Sequence, residues 1–212
     1  MSKQAESTDT PRRDRLRDRI LDAAERAIAE QGLSGLKARE VARGAGCALG
    51  AIYTVFADLD EVILRVGART LARLEKELRA PGEGDALERL ALAYLAFARR
   101  EEPSWQALFG HRLPPGTPLP DWFATERDRL FTLLEAPLSV LLSDRAADEV
   151  RREARTLFSA VHGIVALGLE KKLGEDAVAS LETELRKFIA TFSRGLAAAK
   201  AEKTCQEARA RK

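Results

Sequence analysis

The tripeptide Gly44-Ala45-Gly46 cuts a run of helical periodicity into two pieces, each too short to hold itself helical in water. Before it, about Leu36 to Gly44 reads as a short helix, with Val41 and Ala42 inward and Ser34 placed to cap it. After it, about Ala48 to Phe56 reads as a second, with Ile52, Val55 and Phe56 inward. Upstream, Ile20, Leu21, Ala24, Ala27 and Ile28 recur at helical spacing and Gly32 supplies a stop, so a first helix is expected over about Asp14 to Gln31. Two short helices across a glycine turn make a helix-turn-helix, and the preceding helix completes a unit of about 45 residues. Such a unit buries too little apolar area alone, so the rest of the chain must supply a body for it to dock on.

That body is helical throughout. Leu59 to Ala80 reads as one long helix carrying Val62, Ile63, Val66, Leu71, Leu74 and Leu78, ended by Pro81-Gly82-Glu83-Gly84. Asp85 to about Arg100 follows, and Pro103 forces a new start for a short helix with Trp105, Leu108 and Phe109. Pro114, Pro115, Pro118 and Pro120 make His111 to Asp121 a loop. Further helices are expected over Asp121 to Leu134, with a kink or break at Pro137, then over Ala146 to Leu173 and Asp176 to Lys200. The last carries Val178, Leu181, Leu185, Phe188, Ile189, Phe192 and Leu196 on one stripe, and Gly163 and Gly168 permit close helix crossing. No strand pattern appears, so the fold class is all-α. The expected organisation is a flexible arm over 1–11, a helix-turn-helix domain over 12–58, an effector-binding and dimerisation domain over 59–200, and a charged, frayed tail over 201–212.

Charge and composition exclude several functions. Between Arg12 and Ala57 nine basic residues (Arg12, Arg13, Arg15, Arg17, Arg19, Arg26, Lys37, Arg39, Arg43) face six acidic ones (Asp14, Asp18, Asp22, Glu25, Glu30, Glu40). Five of the nine fall within Arg12 to Arg19, an edge fit to meet a polyanion or simply a solvated helix start. Two histidines, His111 and His162, and two distant cysteines, Cys47 and Cys205, leave little for a metal site or disulfide framework, so no metal and no cofactor are expected. No apolar run of 18 residues exists and the start of the chain is polar, which predicts a cytoplasmic protein without a membrane partner. No Ser-His-Asp spacing, inward carboxylate pair or phosphate loop supports an enzyme.

The segment Gly35 to Leu59 resembles the N-terminal domain of TetR-family transcriptional regulators. Val41-Ala42, Ala45-Gly46, Gly50, Ile52-Tyr53, Phe56 and Asp58 carry the likeness, followed by Asp60-Glu61-Val62-Ile63. Downstream, Ala93 to Ala98, Leu108-Phe109-Gly110 and Phe158 to Gly163 are similar to the family's WHG-type C-terminal domain. The resemblance implies a homodimer on a palindromic double-stranded DNA operator. Small residues at the start of the recognition helix, Ala48, Gly50 and Ala51 beside Leu49, would let the backbone approach the major groove. Tyr53, Lys37 and Thr54 would meet phosphates, Arg39 would read guanine, and Arg12, Arg13 and Arg15 would reach the minor groove from the arm. Leu59 stands where the family usually has a phosphate-contacting Lys, and the recognition helix offers few side-chain donors.

The likeness further implies a repressor released by an unidentified small apolar or amphipathic effector. Candidate cavity residues are Tyr94, Phe97, Trp105, Phe109, His111, Trp122, Phe123, Phe158 and His162, with Phe131 in the same aromatic set, although aromatic clusters are most often core. His162 reads as a satisfied core histidine or a polar ligand contact, and Cys47 as a small hydrophobe. Phe188, Ile189, Phe192 and Leu196 are candidates for a dimer interface. The rival readings are a ligand-independent DNA-organising protein and, further off, a helical-bundle enzyme.

Overall fold

The computed structural model describes residues 6–170 and 174–210, with side chains described over 11–170, at Gly174 and over 180–202. Residues 1–5, Leu173, the side chains of Val178 and Cys205 and the last two residues, all read from sequence above, lie outside that range. Among the described residues there are helices and no strand: α1 (Glu6–Gln31), a 3-10 turn (Leu33–Gly35), α2 (Ala38–Gly44), α3 (Leu49–Ile52), α4 (Leu59–Leu78), α5 (Ala86–Arg100), α6 (Glu102–Gly110), α7 (Asp121–Leu141), α8 (Ala147–Leu169) and α9 (Glu175–Ala210).

The chain divides into two compact units, one of residues up to Arg73 together with Glu101–Glu126, the other of Leu74–Arg100 with the residues from Arg127 on. In the first, Ile20, Ala24 and Ile28 of α1, Val41 and Ala42 of α2, and Ile52, Val55 and Phe56 form a core that Val62 and Val66 of α4 and Ala107 of α6 complete. The body that the helix-turn-helix needs is therefore the first half of α4 plus α6. Ion pairs bind the same elements at the surface: Arg69 reaches Asp22 (2.6 Å) and Glu25 (3.3 Å) on α1, and Arg73 joins Glu25 and Glu101. Gly44 lets α2 approach α1 closely, since a Cβ built on it would lie 3.2 Å from that of Ala23.

In the second unit α5 packs on α8 and α9. Ala154, Leu157 and Val165 of α8 and Leu185 and Ile189 of α9 are buried. Gly168 allows the α8–α9 approach, since a Cβ there would come within 2.8 Å of Leu181. Gly163 plays no such part, with nothing within 4 Å of its Cβ position.

Several expected boundaries move. Helix α1 begins at Glu6, inside the stretch read as an arm, because apolar periodicity cannot register turns that touch no core. Helix α2 begins at Ala38 with Lys37 as its N-cap and no side-chain cap; the Ser34 hydroxyl points back to the Gln31 carbonyl instead. Helix α7 runs through Pro137 to Leu141, held where Leu138 is fully buried. Helix α9 continues past Lys200 to Ala210, a segment rich in strong helix formers without Gly or Pro.

Candidate nucleic-acid interface and ligand cavity

The turn between α2 and α3 is a Schellman motif. Gly46 takes the left-handed conformation (φ 63°), its N–H donates to the Arg43 carbonyl at 3.2 Å, and the Cys47 N–H donates to the Ala42 carbonyl at 3.0 Å. Cys47 then packs partly buried against the core, as a small hydrophobe would. The turn fixes the direction of α3, which is shorter than the expected Ala48 to Phe56. Four residues are α-helical, and beyond them the Thr54 and Val55 amides bond three residues back, to Ala51 and Ile52.

Ile52 anchors α3 while its other face is open. Ala48, Gly50 and Thr54 are exposed, Leu49 is 39% and Tyr53 52% exposed, and Ala51 is half-buried. Nothing lies within 4 Å of a Cβ built on Gly50, so its backbone faces open space. The Thr54 hydroxyl donates to the Ala51 carbonyl at 2.7 Å, leaving its lone pairs outward. Lys37 and Arg39 are exposed and without ion-pair partners among the described residues, whereas Arg43 is paired with Glu40. Arg12, Arg13 and Arg15 are exposed on α1 and so stand on a helix. Arg17 instead lies over the Phe56 ring, 5.0 Å from its centroid.

The start of α4 is built differently. Leu59 is half-buried and packs against the helix-turn-helix core. The Asp58 carboxylate accepts from the Glu61 amide at 2.7 Å and Glu61 accepts from the Ala57 amide at 2.9 Å. With Asp60 beside them, these carboxylates give this helix start negative charge and occupy donors that a phosphate would use. Leu59 is therefore an apolar joint between α4 and the helix-turn-helix.

The aromatic candidates for one cavity fall into two sets. In the second unit the Tyr94 hydroxyl meets His162 Nδ1 at 2.8 Å, Phe158 stacks on His162 at 5.7 Å, and Phe131 meets Phe158 edge-on at 5.5 Å. Tyr94 and Phe97 are buried, and burial holds the His162 imidazole below the ordinary histidine range. The two polar tips of this set thus meet each other. In the first unit Trp105 is buried against a partly exposed Phe109, and Trp122 lies under the Arg65 guanidinium at 3.7 Å.

A cavity of about 340 Å³ lies in the first unit, between α1, α4, α6, the proline-rich loop and the start of α7. Of the candidates only His111 and Phe123 line it; Trp105 and Trp122 do not. Sequence reasoning missed Thr70, Ser104, Gly67 and Leu108. Thr70 carried a signal, a hydroxyl between Val66 and Leu74 on the apolar stripe of α4. In the second unit a shallow apolar groove on α8 and α9 is lined by Gly163, Leu167, Leu181 and Phe188. Phe192 and Leu196 are half-buried, but Ile189 is 2% exposed and belongs to its own protomer's core rather than to a partner.

An all-helical chain with an exposed short helix behind a Schellman turn is of the helix-turn-helix DNA-binding class. Residues 20–66 match the model of bacterial regulatory proteins of the tetR family, and residues 87–188 match the tetracyclin repressor-like C-terminal domain. The chain belongs to the TetR family of transcriptional regulators, which are DNA-binding proteins and not enzymes. Solved structures share the fold. A protein of unknown function from Rhodococcus sp. RHA1 is 23% identical, with a TM-score of 0.68 over 86% of this chain and 95% of its own. A TetR-family regulator from Streptomyces coelicolor is 24% identical, with a TM-score of 0.57 over 84% and 98%. A TetR variant from Acinetobacter baumannii AYE in complex with minocycline is 16% identical, with a TM-score of 0.58 over 82% and 94%. Among curated proteins none matches this chain. No helix among the described residues is long and apolar enough to cross a membrane.

Proposed function

We propose that the protein is a homodimeric repressor that binds a palindromic operator through α3 and releases it when a small apolar or amphipathic effector enters the cavity of the first unit. The observation that carries this reading is that the cavity and the helix-turn-helix share walls: Ile28, Val66 and Ala107 line the one and belong to the core of the other. An effector that prefers one arrangement of α1, α4 and α6 therefore acts on the elements that hold α3. Two recognition helices must sit about 34 to 36 Å apart to fit one turn of DNA, and a ligand that shifts the population away from that spacing weakens binding. A solved relative of the same fold carries minocycline, which accords with a ligand-responsive role.

Direct readout rests on Arg39, since α3 itself offers few donors. Lys37, Tyr53, Thr54 and the α1 arginines Arg12, Arg13 and Arg15 supply phosphate and groove contacts, without a clamp from the acidic start of α4. The groove on α8 and α9, extended by Phe192 and Leu196, is the surface for a second copy. The test is enrichment from a randomised duplex pool. The protein should enrich an inverted repeat, Arg39→Ala should lose about 1 to 3 kcal/mol and relax one position in each half-site, and Phe192→Glu should give monomers that no longer bind. Binding without sequence enrichment would favour a DNA-organising protein and overturn the repressor reading.

A further inference from the structure

The cavity of the first unit discriminates by charge. Among the described residues its lining contains no Lys, Arg, Asp or Glu, so an ionised ligand would leave water without a countercharge to meet it. His111 does not supply one. Its Nε2 is fully buried and lies 3.3 Å from Asp60 Oδ1, so a proton taken up there meets a carboxylate already in place. The Thr70 hydroxyl is committed to the Val66 carbonyl at 3.2 Å, which leaves Ser104 and Thr117 as the other polar side chains on the wall. Hydroxyls can bond a polar group, but they do not neutralise a charge.

The surroundings weigh further against an anion. Two helix starts reach the lining, α6 at Ser104 and α7 at Phe123, and they carry Glu102 and Asp121 in their first turns, so each N-terminal dipole is already answered by a carboxylate. A neighbouring pocket of about 280 Å³ shares Leu64, Leu113 and Thr117 with the cavity and is also lined by Asp58, Asp60 and Glu61. Arg65, which stacks on Trp122 there, is paired with Glu61. The volume of the cavity is about twice the roughly 150 Å³ that accepts benzene. Resting on the effector reading above, we propose that this cavity takes an uncharged ligand of one- to two-ring size and excludes its carboxylate counterpart, the whole ligand leaving water against Val66, Leu108, Leu119 and Phe123.

Three probes with one body and nearly one shape separate the possibilities: 2-acetylnaphthalene, which is uncharged, 2-naphthoate, and 2-(aminomethyl)naphthalene, which is an ammonium ion at neutral pH. They are measured by equilibrium dialysis on the full chain without DNA. The proposal expects 2-acetylnaphthalene to bind at least about tenfold more tightly than either ion. A ligand held on an open groove would keep its charged group in water and show little difference. Gly67→Met and Leu119→Trp add volume to two different walls of the cavity, one on α4 and one on the loop, and each should weaken 2-acetylnaphthalene at least about tenfold. A smaller preference in the unaltered protein, tighter binding of either ion, no binding of any probe, or undiminished binding in a filled variant that keeps its thermal transition would overturn it. The charge comparison needs no variant, so it decides the matter even where both substitutions prevent folding. The DNA enrichment is independent: a protein that enriches an inverted repeat yet fails the probe series loses only this ligand class, and one that passes the series without selecting DNA loses the repressor reading.

Discussion

The two units hold comparable aromatic side chains and use them in opposite ways. In the second, Tyr94, Phe131, Phe158 and His162 close on one another, and the polar tips of the tyrosine and the histidine bond to each other at 2.8 Å. In the first, Phe123 and His111 border about 340 Å³ of unfilled space and the histidine nitrogen has no hydrogen bond. Aromatic content alone therefore does not locate a binding site. A packed cluster fills its own space, and a site leaves room for its ligand.

Truncation should expose the contrast most strongly. Phe97 is fully buried in the second unit, and Phe97→Ala should cost about 3 to 5 kcal/mol in urea unfolding. Phe123 is buried but has the cavity on one side, so Phe123→Ala should cost at least about 1 kcal/mol less. Equal losses would break the comparison. Next in size, Tyr94→Phe removes the bond to a half-buried His162 and should cost about 1 to 2 kcal/mol. His111→Leu removes a contact to Asp60 at 3.3 Å that lacks hydrogen-bonding geometry, and should cost no more than about 1 kcal/mol by the same measurement.

Gly67→Ala sharpens the picture at the cavity wall. A Cβ there would lie 3.2 Å from Phe123 and 3.3 Å from Leu108, tight contacts that Phe123 can relieve by moving into open volume. The helix gains up to about 1 kcal/mol from losing a glycine, so thermal unfolding should show a small net stabilisation. Net destabilisation would mean a rigid wall. The smallest effect is the pH response of His162. Burial sets its folded pKa below the value of about 6.5 in the unfolded chain. As pH falls through about 6.5 the unfolded chain binds the proton first, so stability declines and levels off below the folded pKa. His162→Gln should remove that slope, measured as urea midpoints across the range.

Much of this was legible in the residues. Gly44 to Gly46 announced the turn, Ile52 and Phe56 its core side, and the apolar stripes gave α4, α5, α8 and the start of α9 to within a few residues, because these features are local. What was not legible depends on which distant segments meet. Nothing local says that Ala107 completes the helix-turn-helix core, that Ile189 turns inward while Phe188 stays half-buried, or that Tyr94 and Trp105 fall in different units. Leu59 was undecided for the same reason. A leucine where a phosphate-contacting lysine is usual does not say what it touches, and only its packing against the core, with Asp58 and Glu61 holding the local amides, shows an apolar joint.

Xenon tests the contrast between the units most directly, because it enters apolar space without needing any polar group. In crystals of the full chain held under xenon pressure, we expect the atom beside Phe123, Gly67 and Leu108, and none among Tyr94, Phe131, Phe158 and His162. Xenon lodged in the second cluster, or absent from the wall of α4 and α6, would contradict the account.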